Sequence, residues 1–147
     1  FLGVGDQESQ NMITAAADRY PNKVAVHLLF DEGLAHQIYA GSDFFLMPSI
    51  YEPCGLSQMI SLCYGTIPIV YNTGGLADTV KDIADGGNGF VFDEYHHESF
   101  VKAVFRAIDL FAESARMDEV MVRAFGSRFS WADSAGAYRR FYEGLVK

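Results

Sequence analysis

The sequence predicts an α/β domain: a Rossmann-like parallel sheet with helices on both faces. Three observations carry this. Short apolar runs of strand length at 24–30, 43–47, 68–71 and 89–92 alternate with segments of helical period. The runs are nearly continuous in apolar character, as expected of strands covered on both faces. The two central ones exit into loops marked by proline or glycine, Pro48 to Gly55 and Asn72 to Gly75. With 147 residues, 50% hydrophobic and 14% aromatic, the chain can bury one real core.

The chain opens at Phe1-Leu2-Gly3-Val4-Gly5-Asp6, without a methionine, which reads as the end of a buried strand and a glycine turn. Gly3 and Gly5 begin a dinucleotide fingerprint, but its third glycine is missing because position 8 is Glu. Opening in mid-strand predicts a fragment. Asp6 is placed to cap a helix whose apolar face is Ile13, Ala16, Ala17 and Tyr20, and Pro21 and Asn22 end it. The run 24–30 is predicted as a strand. Asp31 caps the next helix, with Leu34, Ile38 and Tyr39 turned inward. Phe30 stands at the strand exit, where an aromatic is ordinarily core.

The centre of the chain is Pro48-Ser49-Ile50-Tyr51-Glu52-Pro53-Cys54-Gly55-Leu56-Ser57-Gln58. The apolar run before it reads as a buried strand. Pro48 and Pro53 bracket a loop that continues neither strand nor helix. Gly55 opens a helix or admits a ligand close to the backbone. Leu56, Met59, Ile60 and Cys63 then recur at helical spacing and predict an apolar face. A carboxylate, Glu52, and a helix start therefore share the C-terminal end of a strand, where open parallel sheets bind ligands and free N–H groups favour an anion. Pro68 to Tyr71 repeats the pattern, exiting into Thr73-Gly74-Gly75 and a helix near 76–80. Glycines in such loops suit a phosphate approached by backbone N–H groups. Ordinary turn chemistry accounts equally well for each loop taken alone.

Beyond the centre, 82–89 is a loop rich in glycine and acid, and 89–92 is the last strand. Val101, Val104, Phe105 and Ile108 mark one face of a helix, 113–125 is another, and Ser130 caps a final one carrying Trp131, Ala135, Tyr138, Tyr142 and Leu145. No linker, repeat or low-complexity segment interrupts the series.

A net charge of −8 and a pI near 4.8 argue against a nucleic-acid surface and an anionic membrane as partners. No apolar run approaches the roughly 20 residues of a membrane helix, and no signal or transit peptide is visible. Cys63 reads as a small buried apolar residue. Cys54 lies beside the candidate site, where a helix N-terminus can activate a thiol. Two cysteines offer no disulfide framework, so a reducing compartment is expected. His96 and His97 are adjacent and cannot share a helix face, while His27 and His36 read as structural. No metal and no cofactor are predicted.

The string Glu52-Pro53-Cys54-Gly55-Leu56-Ser57-Gln58, followed by Tyr64-Gly65-Thr66-Ile67-Pro68 and Thr73-Gly74-Gly75-Leu76-Ala77-Asp78-Thr79-Val80, closely resembles starch and glycogen synthases of the bacterial and plant type. Phe30-Asp31-Glu32, Leu34-Ala35-His36 and Ile38 to Asp43 are similar to the preceding strand and helix of that family. Asn88-Gly89-Phe90 and Phe129-Ser130-Trp131 look like its later landmarks. The resemblance covers nearly the whole chain. It implies the C-terminal half of a two-domain GT-B glycosyltransferase, with 1–147 an N-terminally truncated nucleotide-sugar-binding domain and 130–147 a helix returning toward the N-terminal domain. That helix is expected to dock on its own domain or on another molecule.

The resemblance further implies retaining transfer of glucose from a nucleotide-diphosphate glucose, ADP-glucose favoured over UDP-glucose, to the 4-hydroxyl of an α-1,4-glucan. Glu52 is implied as the catalytic carboxylate. Phe30, Cys54, Gly55, Leu56, Ser57, Thr73, Gly74 and Gly75 are implied as donor-binding, Phe30 by stacking on the base and Ser57 through its hydroxyl. His36 matches a family position behind these. Implied partners are the donor, an α-glucan acceptor and the N-terminal domain of the same enzyme, in a bacterial cytoplasm or plastid stroma. The chain departs from the family in places. Ile50, Tyr71 and Asn72 stand where basic residues are common, and the family's arginine and lysine for the donor phosphates belong to a unit preceding Phe1. The fragment alone is therefore expected to bind donor weakly and not to turn over. A second carboxylate common in related transferases is absent because position 60 is Ile, which also leaves a two-carboxylate hydrolase without its partner nearby. Two alternatives stay open: a transferase with another acceptor, and a non-catalytic domain of the same fold that binds nucleotide-sugar or glucan.

Overall fold

The computed structural model describes residues 1–146, and the chain forms two compact units, Phe1–Ile38 and Tyr39–Lys147. In the first unit, helix α1 (Gln7–Arg19) begins where sequence places it, because capping is a local interaction. The Asp6 carboxylate accepts the Ser9 N–H at 2.9 Å and the Ser9 hydroxyl at 2.7 Å. The backbone bond from Ser9, then its hydroxyl, holds the Asp6 carboxyl below the usual range. Asp31 does the same for α2 (Glu32–Ala40), accepting the Leu34 N–H at 2.9 Å.

The strand expected at 24–30 does not form. Residues 1–3 are its backbone partner in this unit, through one parallel bridge, Leu2 to His27. Two backbone hydrogen bonds flank that bridge, Gly3 N–H to His27 O and His27 N–H to Phe1 O. One bridge cannot satisfy a strand, and the end of the run keeps Leu28, Leu29 and Phe30 exposed.

The second unit holds a three-stranded parallel sheet in the order β1 (Phe44–Met47), β2 (Ile67–Tyr71), β3 (Phe90–Phe92). The central strand β2 is buried along nearly its whole length. Its alternating side chains divide the core. Ile67 and Ile69 pack with Phe90, Phe92 and the helices α5 (His97–Phe111) and α6 (Ser114–Phe125). Val70 packs on the other face with Leu62 of α3 (Ser57–Cys63), Leu76 of α4 (Gly74–Thr79) and Val80. Helices therefore cover both faces. Pro68 is tolerated in a central strand because β3 pairing begins one residue later, at Ile69 and Phe90. β1 is an edge of this sheet and half-buried rather than buried, with Leu46 48% exposed.

Two helices turn a different face inward than their apolar pattern predicts. In α3 the buried residues are Gln58, Ser61 and Leu62, while Leu56 and Cys63 are exposed. Hydrogen bonds account for the polar pair: the Ser61 hydroxyl donates to Gln58 O at 2.9 Å, and the Gln58 side-chain amide donates to the preceding loop and to Thr79. In α5 the buried residues are Ala103, Ala107 and Leu110, whereas Val101, Phe105 and Ile108 are exposed. Small residues let the helix lie close on the sheet, and the larger ones are left outside.

Asp82 joins three pieces of the second unit. It caps the 3-10 turn Ile83–Asp85 by accepting the Ala84 N–H at 2.9 Å, accepts the Val91 N–H of β3 at 2.9 Å, and takes both arms of Arg106 from α5. Helix α7 (Trp131–Leu145) is capped by Ser130, whose hydroxyl accepts the Asp133 N–H at 3.2 Å. None of its residues is buried.

Candidate functional site

The site is built from the exits of β1 and β2, and the two loops are locked together by backbone. The Gly75 N–H donates to Glu52 O at 2.8 Å. A side chain at Gly74 would strike Glu52 O, and one at Gly75 would strike the Cys54 backbone. Only glycine allows this approach. The Glu52 side chain is half-buried, and its Oε1 accepts the Ser49 hydroxyl at 3.1 Å.

Downstream of Glu52 the chain turns through Gly55, at φ +71°. Among the described residues, the N–H groups of Gly55, Leu56 and Ser57 donate to no protein acceptor. Leu56 is 66% exposed and Cys54 is an exposed free thiol, so this loop faces solvent. Thr73 is extended and precedes α4 without a side-chain cap. The structure thus brings Glu52, Cys54, Gly55, Leu56, Ser57, Thr73, Gly74 and Gly75 to one place at the carboxyl ends of two neighbouring parallel strands. Phe30 belongs to the other unit and is 92% exposed, which removes the core-packing explanation for it.

Two residues of this region escaped sequence reasoning. Gln58 is fully buried, and its Nε2 donates to Cys54 O at 3.0 Å, Gly55 O at 2.7 Å and Thr79 Oγ1 at 3.0 Å. Thr79 in turn donates to Gly75 O at 2.7 Å. A polar residue one place from an apolar pair, directly after a glycine loop, was the available signal.

Around the site, Tyr71 and Asn72 are engaged locally. Tyr71 meets Tyr95 edge-on at 5.0 Å between ring centroids, and Asn72 Nδ2 donates to Asp93 at 2.7 Å. A cavity of about 180 Å³ opens beyond them between Pro48, Phe92, Tyr95, His96, His97 and Phe100. Its His96 caps α5, accepting the Ser99 N–H at 3.2 Å. Among the described residues no cluster of His, Cys, Asp and Glu fits a metal ion, and no helix is long and apolar enough to cross a membrane.

Residues 2–120 match the model of the family Glycosyl transferases group 1. The chain belongs to that family. Within it, the chain is similar to glycogen synthases: 46% identical to that of Bacillus cereus over its whole length, and 47% identical to that of Myxococcus xanthus over 99% of it. It spans about a third of the length of these relatives. Among solved structures it is similar to the catalytic domain of starch synthase IV from Arabidopsis thaliana bound to ADP and acarbose. That match has TM-score 0.84 and 36% identity, covering 99% of this chain and 32% of that one. A match to sucrose-phosphate synthase from Thermosynechococcus elongatus, TM-score 0.65 at 21% identity, covering 99% of this chain and 37% of that one, shows the shared fold alone. The glycosyltransferase fold is therefore the frame in which the β1 and β2 exits are to be understood.

Proposed function

We propose that this chain is the donor-binding part of a glycogen or starch synthase, which transfers glucose from ADP-glucose to the 4-hydroxyl of an α-1,4-glucan with retention. One observation carries the proposal. Glu52 and three unpaired N–H groups, of Gly55, Leu56 and Ser57, lie in one solvent-facing loop at the end of a parallel strand. The departing nucleoside diphosphate gains negative charge, and fixed N–H donors stabilise it without reorganising. The Glu52 carboxylate accepts hydrogen bonds from glucose hydroxyls and favours positive charge on the sugar ring. Ser57 adds a hydroxyl toward the distal phosphate or ribose, Thr73 and Gly74 border the donor while Gly75 holds their loop against the Glu52 backbone, and the Cys54 thiol borders the sugar. The similar starch synthase solved bound to ADP and acarbose supports a nucleotide-bearing donor for this chain. The complete enzyme is proposed to contribute the arginine and lysine for the phosphates and an N-terminal domain as partner of α7, and to work in a bacterial cytoplasm or plastid stroma.

The test is glucose incorporation from labelled ADP-glucose or UDP-glucose into glycogen by the full-length enzyme. ADP-glucose is expected to be the better donor. Glu52→Gln is expected to lower kcat by about 10²–10³, the scale of a lost charge-stabilising group. Full activity in that variant would assign the chemistry elsewhere. Donor binding without any incorporation would favour the non-catalytic alternative.

A further inference from the structure

We infer that Gln58 is a positioning residue that aims the donor amides of the Glu52 loop, an assignment that rests on the proposed function for its chemistry but not for its geometry. Gln58 is fully buried, yet its Oε1 has no hydrogen-bond partner among the described residues. A buried acceptor left unpaired is destabilising. Leucine or methionine would fill the same space without that penalty, so packing does not explain the residue.

The other end of the amide does. Nε2 donates to Cys54 O and Gly55 O, and to Thr79 Oγ1 of α4. A trans peptide group is planar, with C=O and the following N–H pointing in opposite directions, and no peptide bond here is cis. Drawing Cys54 O inward therefore turns the Gly55 N–H outward. Drawing Gly55 O inward turns the Leu56 N–H outward. These are two of the N–H groups that have no protein acceptor. Thr79 closes the frame by donating to Gly75 O, next to the Gly75 N–H that holds Glu52 O. One buried amide thus sets the direction of two donors and ties their loop to the loop of the neighbouring strand. Gln58 itself touches no substrate.

The experiment uses the full-length enzyme with Gln58→Leu, and Thr79→Val with Thr79→Ser as its conservative counterpart. Three quantities are read at a temperature where each variant is folded: steady-state kcat, donor KM, and the rate of Cys54 labelling by a thiol reagent, located by mass spectrometry. Gln58→Leu is expected to lower kcat about 10–100-fold with a smaller change in donor KM, and to speed Cys54 labelling several-fold. Thr79→Val is expected to follow in the same direction, and Thr79→Ser to restore near-normal values. Should Gln58→Leu not fold, the Thr79 pair decides. Unchanged kcat and unchanged Cys54 labelling in a folded variant overturn the assignment, as does Thr79→Ser behaving like Thr79→Val. If the unmutated enzyme transfers no glucose, the proposed function fails. The clamp is then judged on Cys54 labelling alone, which supports it if the rate rises and overturns it if not.

Discussion

Gly75 shows how little room the site leaves at the scale of one residue. Its Cα lies so close to the Cys54 backbone that a methyl group there would overlap Cys54 O, Cα and C together. Backbone cannot rotate aside as a side chain can. Gly75→Ala is therefore expected to destabilise the protein by about 1–3 kcal/mol, the usual cost of overpacking, and to weaken donor binding by separating the loops. Gly144 in α7 is the control, since a Cβ there meets nothing within 4 Å. Gly144→Ala should stabilise by up to about 1 kcal/mol through helix propensity. Urea unfolding midpoints would check both, and equal effects of the two substitutions would contradict the close-approach account.

At the scale of the element, Asp82 is the group whose ionisation matters most to the packing. Burial pushes its carboxyl up, but the Arg106 side chain and the N–H groups of Ala84 and Val91 outweigh this and leave it below the usual value. A depressed folded pKa contributes stability above the unfolded value of about 3.9, and that contribution is lost as pH falls through the folded value. Asp82→Asn should therefore cost about 1–2 kcal/mol at pH 7, toward the low end because Arg106 is partly exposed. The gap between variant and parent should shrink as pH falls below about 4. Unfolding curves at a series of pH values would show it, and a gap independent of pH would assign the stability to packing instead. The same scale explains what was legible in the sequence. The caps Asp6, Asp31 and Ser130 were readable because donor and acceptor lie within a few residues of each other. The strands 44–47, 67–71 and 90–92 were readable from apolar runs between turn residues. The inward faces of α3 and α5 were not, because they are decided across space: by Thr79 for Gln58, and by the sheet for Ala103 and Ala107. The strand at 24–30 failed for a related reason, since a strand needs neighbours and an apolar run does not reveal whether it has them. The loop bearing Glu52 was legible as a candidate site, but the buried Gln58 amide bonded to its backbone was not.

For the molecule as a whole, the largest unsettled feature is the apolar stripe of α7. Trp131, Tyr138, Phe141, Tyr142 and Leu145 recur at helical spacing, and all are more than half exposed. Tyr138 and Tyr142 stack on each other at 6.4 Å between centroids. Contiguous exposed apolar surface marks an interaction site, and its proposed partner is the N-terminal domain of the same enzyme. This separates two stabilities that a point variant can read independently. Phe141 and Leu145 are exposed in this chain, so replacing both with Ser should change 1–147 alone by no more than about 0.5 kcal/mol, apart from a small loss of helix propensity. The complete enzyme, with the proposed partner covering the stripe, should lose about 2–5 kcal/mol from the two truncated contacts together and melt several degrees lower. Calorimetry of both proteins makes the comparison. If the complete enzyme shifts no more than the isolated chain does, α7 is not held by the N-terminal domain, and its stripe must face another molecule.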